Sequence, residues 1–316
     1  MTSLLHHPAR PWAEGIALGL LVAFPLLMLR IDEPFYTVLA SRILIFALAA
    51  TSLNLLVGFG GMVCFGQAAF FGTGAYVVGI AMHHGVTAAW TTWPLAVGVS
   101  ALVAAVIGAL SLRTRGVYFI MITLAFAQMI YYLFVSLKAY GGDDGLPLMQ
   151  RSDLPFGLDA TVDEVFYCAV LLIVVLCLLA VRRLVNSSFG RALQAIRENE
   201  SRAEAIGFPV FRIKLMSFVI SGAMAGLAGA LVANQTQLAS PALLQWHQSG
   251  MLLIMVLLGG VGYVYGGVLG AAILLLLEET LSSHTIYWQL GLGLALLAVV
   301  LFARNGLLSL WNRARA

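Results

Sequence analysis

Charge is what this sequence has least of. Lys and Arg number 17 and Asp and Glu 14, together 10% of 316 residues, where a soluble domain carries about 25%. With 61% hydrophobic residues and a mean hydropathy of +0.96, that deficit excludes a water-soluble fold. Cysteine is also scarce. Cys64, Cys168 and Cys177 stand in apolar stretches at no disulfide-like or metal-like spacing, and read as small buried hydrophobes. No Gly-x-x-x-x-Gly-Lys-Ser/Thr loop occurs, so the chain does not hydrolyse nucleotide itself. No Asp, Glu, Lys or His sits centrally in an apolar run. Arg42 lies near one end of its run, and Glu278 and Glu279 close another. Ion-coupled carriers need an ionisable group within the membrane. Membrane-embedded enzymes need carboxylate or histidine clusters, but all six histidines are terminal or in loops. If this chain moves a solute uphill, the energy comes from another polypeptide.

What is present is apolar length. Runs that cross or nearly cross a hydrocarbon core, each needing roughly 20 helical residues, fall near 15–30, 36–58, 63–82, 93–112, 117–137, 164–182, 212–233, 249–262, 266–281 and 286–304. The first resembles a signal peptide in outline but lacks a cleavage site, and reads as an uncleaved first span. The third, eighth and ninth are short or broken by glycine, which suits interrupted helices where protein covers the backbone. With the N-terminus inside, Arg10, Arg113, Arg115, Arg182, Arg183, Arg191, Arg197, Arg202, Arg212, Lys214, Arg304, Arg313 and Arg315 are cytoplasmic, 13 of the 17 cations. The acids Asp32, Glu33, Asp143, Asp144, Asp153, Asp159, Asp163 and Glu164 collect on the other side. That asymmetry follows the positive-inside rule. The expected fold is an all-α polytopic membrane protein, a single transmembrane domain over 1–316. It has about ten transmembrane helices, some Gly-broken, and both termini cytoplasmic. An inverted repeat is expected from the similar Gly58–Gly61 and Gly259–Gly262 segments.

One stretch breaks the apolar pattern. Ser187 to Pro209 reads SSFGRALQAIRENESRAEAIGFP and carries Arg191, Arg197, Glu198, Glu200, Arg202 and Glu204. Ser187 or Ser188 can cap a helix. Phe189, Leu193, Ile196, Ala203 and Ile206 recur at helical spacing as one apolar stripe. Glu198 and Arg202, four apart, suit a local ion pair. Gly207 and Pro209 end the helix. So polar a helix in so apolar a chain reads as a connector on the lipid surface, as a binder of a peptide or regulator, or as a handle seated in a soluble motor subunit. In the last case Phe189 and the flanking arginines are anchors. A second loop, Ala139 to Glu164, is acidic and opens on a turn at 141–145, as a solvated linker or an external docking surface.

Glycine is the other abundance. The pairs Gly15/Gly19, Gly222/Gly226, Gly262/Gly266 and Gly266/Gly270 let helix backbones approach closely. Seven glycines between Gly58 and Gly79 suggest a tightly packed, broken helix. Polar uncharged residues within spans include Asn54, Gln67, Thr73, Thr123, Gln128, Ser217 and Ser221. Each suits a helix-to-helix hydrogen bond. Gln67, in the Gly-dense stretch, is the first choice for lining a pathway, with Asn54, Thr73, Gln128 and Ser221 as further candidates.

Six stretches together carry a resemblance: GFGGMVCFGQAAFFGTGAY (58–76), YFIMITLAFAQM (118–129), GGDDGL (141–146), SFGRALQAIRENESRAEAIG (188–207), KLMSFVISGAMAGLAGAL (214–231) and MVLLGGVGYVYGGVLGA (255–271). In that order, from about residue 40 to 305, the chain resembles the LivM-type permease subunit of branched-chain amino acid ABC importers. Cys64 and Phe65 depart from a commoner Ser-Leu pair, and PLMQRSDLPF after GGDDGL is less usual. The resemblance implies a permease in the bacterial inner membrane working with a second LivH-like permease, two ABC ATPase subunits and a periplasmic substrate-binding protein. Lipid surrounds it and no nucleic acid is involved. It implies no cofactor on this chain, with ATP and Mg on the partner subunits. It also implies that residues 186–211 form a coupling-helix loop, for which Phe189, Gly190, Arg191, Leu193, Arg197, Glu198 and Glu204 are the candidates. The implied cargo is leucine, isoleucine and valine. Urea, short amides and other amino acids suit the same class, and an autonomous carrier or channel for neutral solutes and a non-transporting scaffold are the rivals.

Overall fold

The computed structural model describes residues 34–154, 160–284 and 287–302. The expected first span at 15–30 and both chain ends lie outside the described residues. In chain order the helices are α1 (Pro34–Asn54), α2 (Gln67–His83), α3 (Ala89–Ser111), α4 (Val117–Ser136), α5 (Asp163–Asn186), α6 (Ser188–Glu198), α7 (Glu200–Ala205), α8 (Val210–Thr236), α9 (Trp246–Gly259), α10 (Gly266–His284) and α11 (Trp288–Phe302). A π-helical turn, Leu55–Phe59, continues α1. Two-residue strands β1 (Leu146–Pro147) and β2 (Leu238–Ala239) pair antiparallel, Leu146 opposite Ala239.

Among the described residues six helices are long and apolar enough to cross a membrane: 35–59, α3, α4, α5, α8 and α10. Local chemistry favours their ends. Pro34 opens α1, where its missing N–H costs nothing. Asp163 and Glu164 start α5 and Arg183 lies in its last turn, complementing the helix dipole at both ends. Of the three segments expected to be short or broken, the ninth is α10, whose 19 residues place it among the long helices, and the other two are short. α2 has 17 residues and α9 has 14, and residues 60–66 before α2 are irregular.

At the centre α8 crosses α2 and α3 through residues without side chains. A Cβ on Gly74 would strike the Gly226 carbonyl, and one on Gly229 would strike the Phe71 carbonyl. Gly222 and Gly226 lie against Ala104 and Ser100 of α3. The Gly266/Gly270 pair serves the same purpose, fitting α10 against Gly259 and Met255 of α9. Close backbone approach replaces the hydrophobic drive that lipid removes between helices. α1 is the most enclosed span, 89% buried, and α4 the least, at 17%. So α1 is a core helix and α4 a peripheral one.

Charge divides between the ends of this bundle. At one end Arg115 pairs with Glu200 of α7, and Arg182 and Arg183 adjoin α6. At the other, Arg151 meets Asp163 at 2.7 Å and Thr87 bonds Asp153. Gly229→Val should force α2 from α8 and destabilise the fold by about 1–3 kcal/mol. A melting measurement in mild detergent checks this, and an unchanged midpoint would remove Gly229 from the crossing.

Candidate functional site

The charged island is two helices, not the single helix read from the sequence. Ser187 starts α6. Its Oγ accepts from the Gly190 amide at 3.4 Å and donates to the Leu184 carbonyl at 2.6 Å. A Cβ at Gly190 would collide with the carbonyls of Leu184 and Val185, so glycine permits the sharp turn out of α5. The break comes at Asn199, which is extended (φ −157°, ψ 103°) and whose Oδ1 accepts from the Arg202 amide at 2.9 Å. A side chain that caps a new helix competes with continuing the old one. α7 closes on Gly207 (φ +96°), with Gly207 N–H bonded to Glu204 O and Phe208 N–H to Ala203 O. That paired pattern is the Schellman ending.

The break corrects two expectations. Glu198 and Arg202 fall on either side of it and form no ion pair. Glu200 instead bonds Lys214 at the base of α8 at 2.8 Å and Arg115 in the α3–α4 turn at 3.4 Å. Ile206, expected on the apolar stripe, is 71% exposed, because α7 is reoriented and only Ala203 stays inward.

The remaining stripe is firmly seated. Ala192, Leu193, Ile196 and Ala203 bury against Leu55 and Phe59 of the π-turn, Val181 and Val185 of α5, and Ile213 of α8, with Phe189 half-buried beside them. This seat rules out a helix lying free on lipid. Of the seven coupling candidates, Gly190 and Leu193 face the body, Phe189 is half-buried, and Arg191, Arg197, Glu198 and Glu204 are exposed. Ile206, Phe208 and Phe211 are exposed near them. Apolar side chains rimmed by charge make a surface of the kind that receives a partner.

Arg197 differs from its exposed neighbours. Its stem lies over Gly61 and its Nη1 donates to the carbonyl of Gly58 in the π-turn. One turn earlier Asn54 clamps the α9–α10 loop. Its Nδ2 donates to Tyr263 O at 2.7 Å, and its Oδ1 accepts from Gly262 N–H at 3.0 Å. Below it, Gln67 Nε2 donates to Ser52 Oγ at 2.7 Å and Ser221 Oγ at 3.0 Å, joining α1, α2 and α8. Both hydroxyls already donate to carbonyls, Ser221 to Ser52 O and Ser52 to Ala49 O, so the amide must be the donor. Gln67 Oε1 has no partner among the described residues. Ser249 Oγ accepts the free Ala68 amide at the start of α2, at 2.8 Å.

Of the five pathway candidates, Asn54, Gln67 and Ser221 therefore meet along α1 and are fully enclosed. Thr73 is also buried but bonds its own helix at Ala69 O, and Gln128 is half-exposed on α4. Ser52, which bonds Gln67 and Ser221, and Ser249, which caps the start of α2, were missed. Their signal was a hydroxyl inside an apolar run, which single-position reading does not separate from ordinary helix packing. Among the described residues no group of three or more His, Cys, Asp or Glu is placed to hold a metal ion.

The model for the family described as branched-chain amino acid transport system, permease component, matches residues 35–303, which include all of this geometry. The chain belongs to that family. Among this permease's relatives, the high-affinity branched-chain amino acid transport permease LivM of Salmonella typhimurium is 31% identical over 294 residues, 85% of this chain and 69% of the relative. LivM of Escherichia coli is 30% identical over 312 residues, 90% and 73%. The xylose transport permease XylH of Haemophilus influenzae is 32% identical over 145 residues, 43% and 39%. No solved structure matches significantly. The permease is a multi-pass membrane protein with the helical bundle described above.

Removing the Asn54 clamp strands two backbone groups of the α9–α10 loop in the interior. Asn54→Ala should therefore cost about 2 kcal/mol, read as a lower unfolding midpoint in detergent. An unchanged midpoint would show that the clamp does not hold the loop.

Proposed function

We propose that this permease is the transmembrane subunit of an ATP-driven importer that moves branched-chain amino acids into the cytoplasm across the bacterial inner membrane. Its partners are a second LivH-like permease, two ATPase subunits carrying ATP and Mg, and a periplasmic binding protein. In this reading ten spans cross with both termini inside, an inverted repeat relates the halves, and 186–211 is the coupling loop. One observation carries the proposal. The only strongly charged helical segment among the described spans is seated inward on α1 and turns Arg191, Glu198, Glu204 and Ile206 outward. A helix seated on protein along one face, with charge turned outward on the other, suits a soluble partner that drives it.

The cargo is read from the relatives' names, leucine, isoleucine and valine. Urea, short amides or other amino acids suit the same machinery, because uncharged Asn54, Gln67 and Ser221, taken in this reading as pathway residues, favour neutral or zwitterionic solutes over ions. An autonomous neutral-solute carrier is the contrasting reading. It predicts uptake by the chain alone in liposomes without ATP.

Mass spectrometry of the tagged chain purified in mild detergent from its host should find two ATPases and a second permease. A chain that purifies alone and transports unaided would overturn the importer. Within the complex, Arg191→Glu reverses the charge on the exposed face, and should lower ATP-dependent uptake about tenfold or more at normal membrane abundance. Normal uptake would move the contact elsewhere. Gln67→Leu removes the bonds that join three helices. It should change the uptake KM or maximal rate while the complex still assembles, and unchanged kinetics would leave Gln67 a packing residue.

A further inference from the structure

We propose that Arg197 is not a contact to the soluble partner but the positioning residue that ties the island to the membrane body, so that a displacement of α6 is delivered to the end of α1. The proposal rests on the importer reading above.

Three observations on separate elements converge. The first is the bond itself. Arg197, on the outward side of α6, turns back to donate to Gly58 O, across 139 residues of chain. That carbonyl sits at the end of α1, where helix carbonyls lack an intrahelical donor and a cation meets the negative pole of the helix. The second is the cradle. Gly61 (φ +67°) would bring a Cβ within 2.8 Å of Arg197 Cγ, and Gly262 would bring one within 3.6 Å of its Nη1. Glycine at 61 leaves the room that the Arg197 stem occupies, and Gly262 lies within contact distance of its guanidinium. The third is what lies beyond. Gly58 abuts Gly262 with no room for a Cβ on Gly58, and Asn54 holds that same loop by two bonds. Island, end of α1 and α9–α10 loop thus form one connected unit.

The segment that receives the bond is built to change. Leu55–Phe59 is a π-turn, a departure from the α-helix that recurs at functional positions. Two residues before Asn54, Ser52 joins the bonds that hold Gln67 and Ser221. A pull on Gly58 therefore acts on the helix that organises the enclosed polar network. Beside the seat lies an open cleft of about 340 Å³, bounded by Gly61, Met62, the α3–α4 turn and Glu200. It leaves the island space in which to shift. A plain helix cap would need the Gly58 bond alone, without the cradle or the clamped loop behind it.

The test uses the complete importer in proteoliposomes, with Arg197→Gln beside the wild type. Co-purified ATPase should remain at the wild-type amount, while solute moved per ATP hydrolysed falls about tenfold, the weight of one charge-assisted hydrogen bond on a two-state equilibrium. Arg197→Lys keeps a charged donor for one carbonyl and should recover part of the coupling. Gly61→Ala, which pushes the Arg197 stem aside, should reproduce the glutamine variant. Loss of the ATPases from Arg197→Gln would make Arg197 a partner contact and overturn the proposal. So would an unchanged transport ratio, or equal loss in the lysine and glutamine variants. A wild-type chain that carries no ATPase would instead sink the importer reading itself, so the two failures are distinguishable.

Discussion

The contact on which the rest of this bundle depends is made by atoms that are not there. α8 meets α2 through Gly74, Gly226 and Gly229, whose missing side chains let one backbone rest on the other. In lipid, helices gain nothing by hiding apolar surface from one another, and close packing has to supply the attraction. The same device recurs where Gly259 and Gly270 join α9 to α10, and where Gly267 reaches Thr51 of α1. Two short helices, α2 and α9, can then be held inside the bundle although neither is long enough to count as a span by itself. The start of α2 and the end of α9 are covered by protein, which satisfies backbone groups that lipid could not.

On that frame lies a line of polar groups along α1. Gln67 and Ser221 bond at the level of Ser52, Asn54 follows half a turn later, and the π-turn carries Gly58 to Arg197. In a low-dielectric interior such bonds are stronger than in water, and unmade ones cost more. They are therefore selective ties as well as adhesive ones. The line starts among enclosed neutral residues and ends at the charged island, so the two most unusual parts of the chain are continuous through one helix.

Much of this was legible beforehand. Hydropathy located the long helices, the pairs Gly222/Gly226 and Gly266/Gly270 marked close crossings while Gly262 falls in a loop, and Ser187, Gly207 and Pro209 marked the ends of the island, because these signals act within a few residues. The continuous helix expected through Asn199 was wrong, since a capping side chain and continued helix compete nearly evenly from local sequence. Arg197 stood among the coupling candidates, with nothing to separate it from its neighbours. Its partner is 139 residues away, and nothing in the spacing of the island points to Gly58.

By itself the amino-acid sequence determined that the chain is a helical membrane protein, where its apolar helices run, and that one charged segment stands apart from them. Those properties follow from composition and from periodicity over one or two turns. Tertiary structure alone decided that the island is seated on the π-turn of α1, that Glu200 pairs with Lys214 and Arg115, and that Gln67, Ser52 and Ser221 share one network while Asn54 clamps the α9–α10 loop. Each of these depends on which backbones approach closely enough to bring distant donors and acceptors together, and that distance is set by packing across the whole bundle.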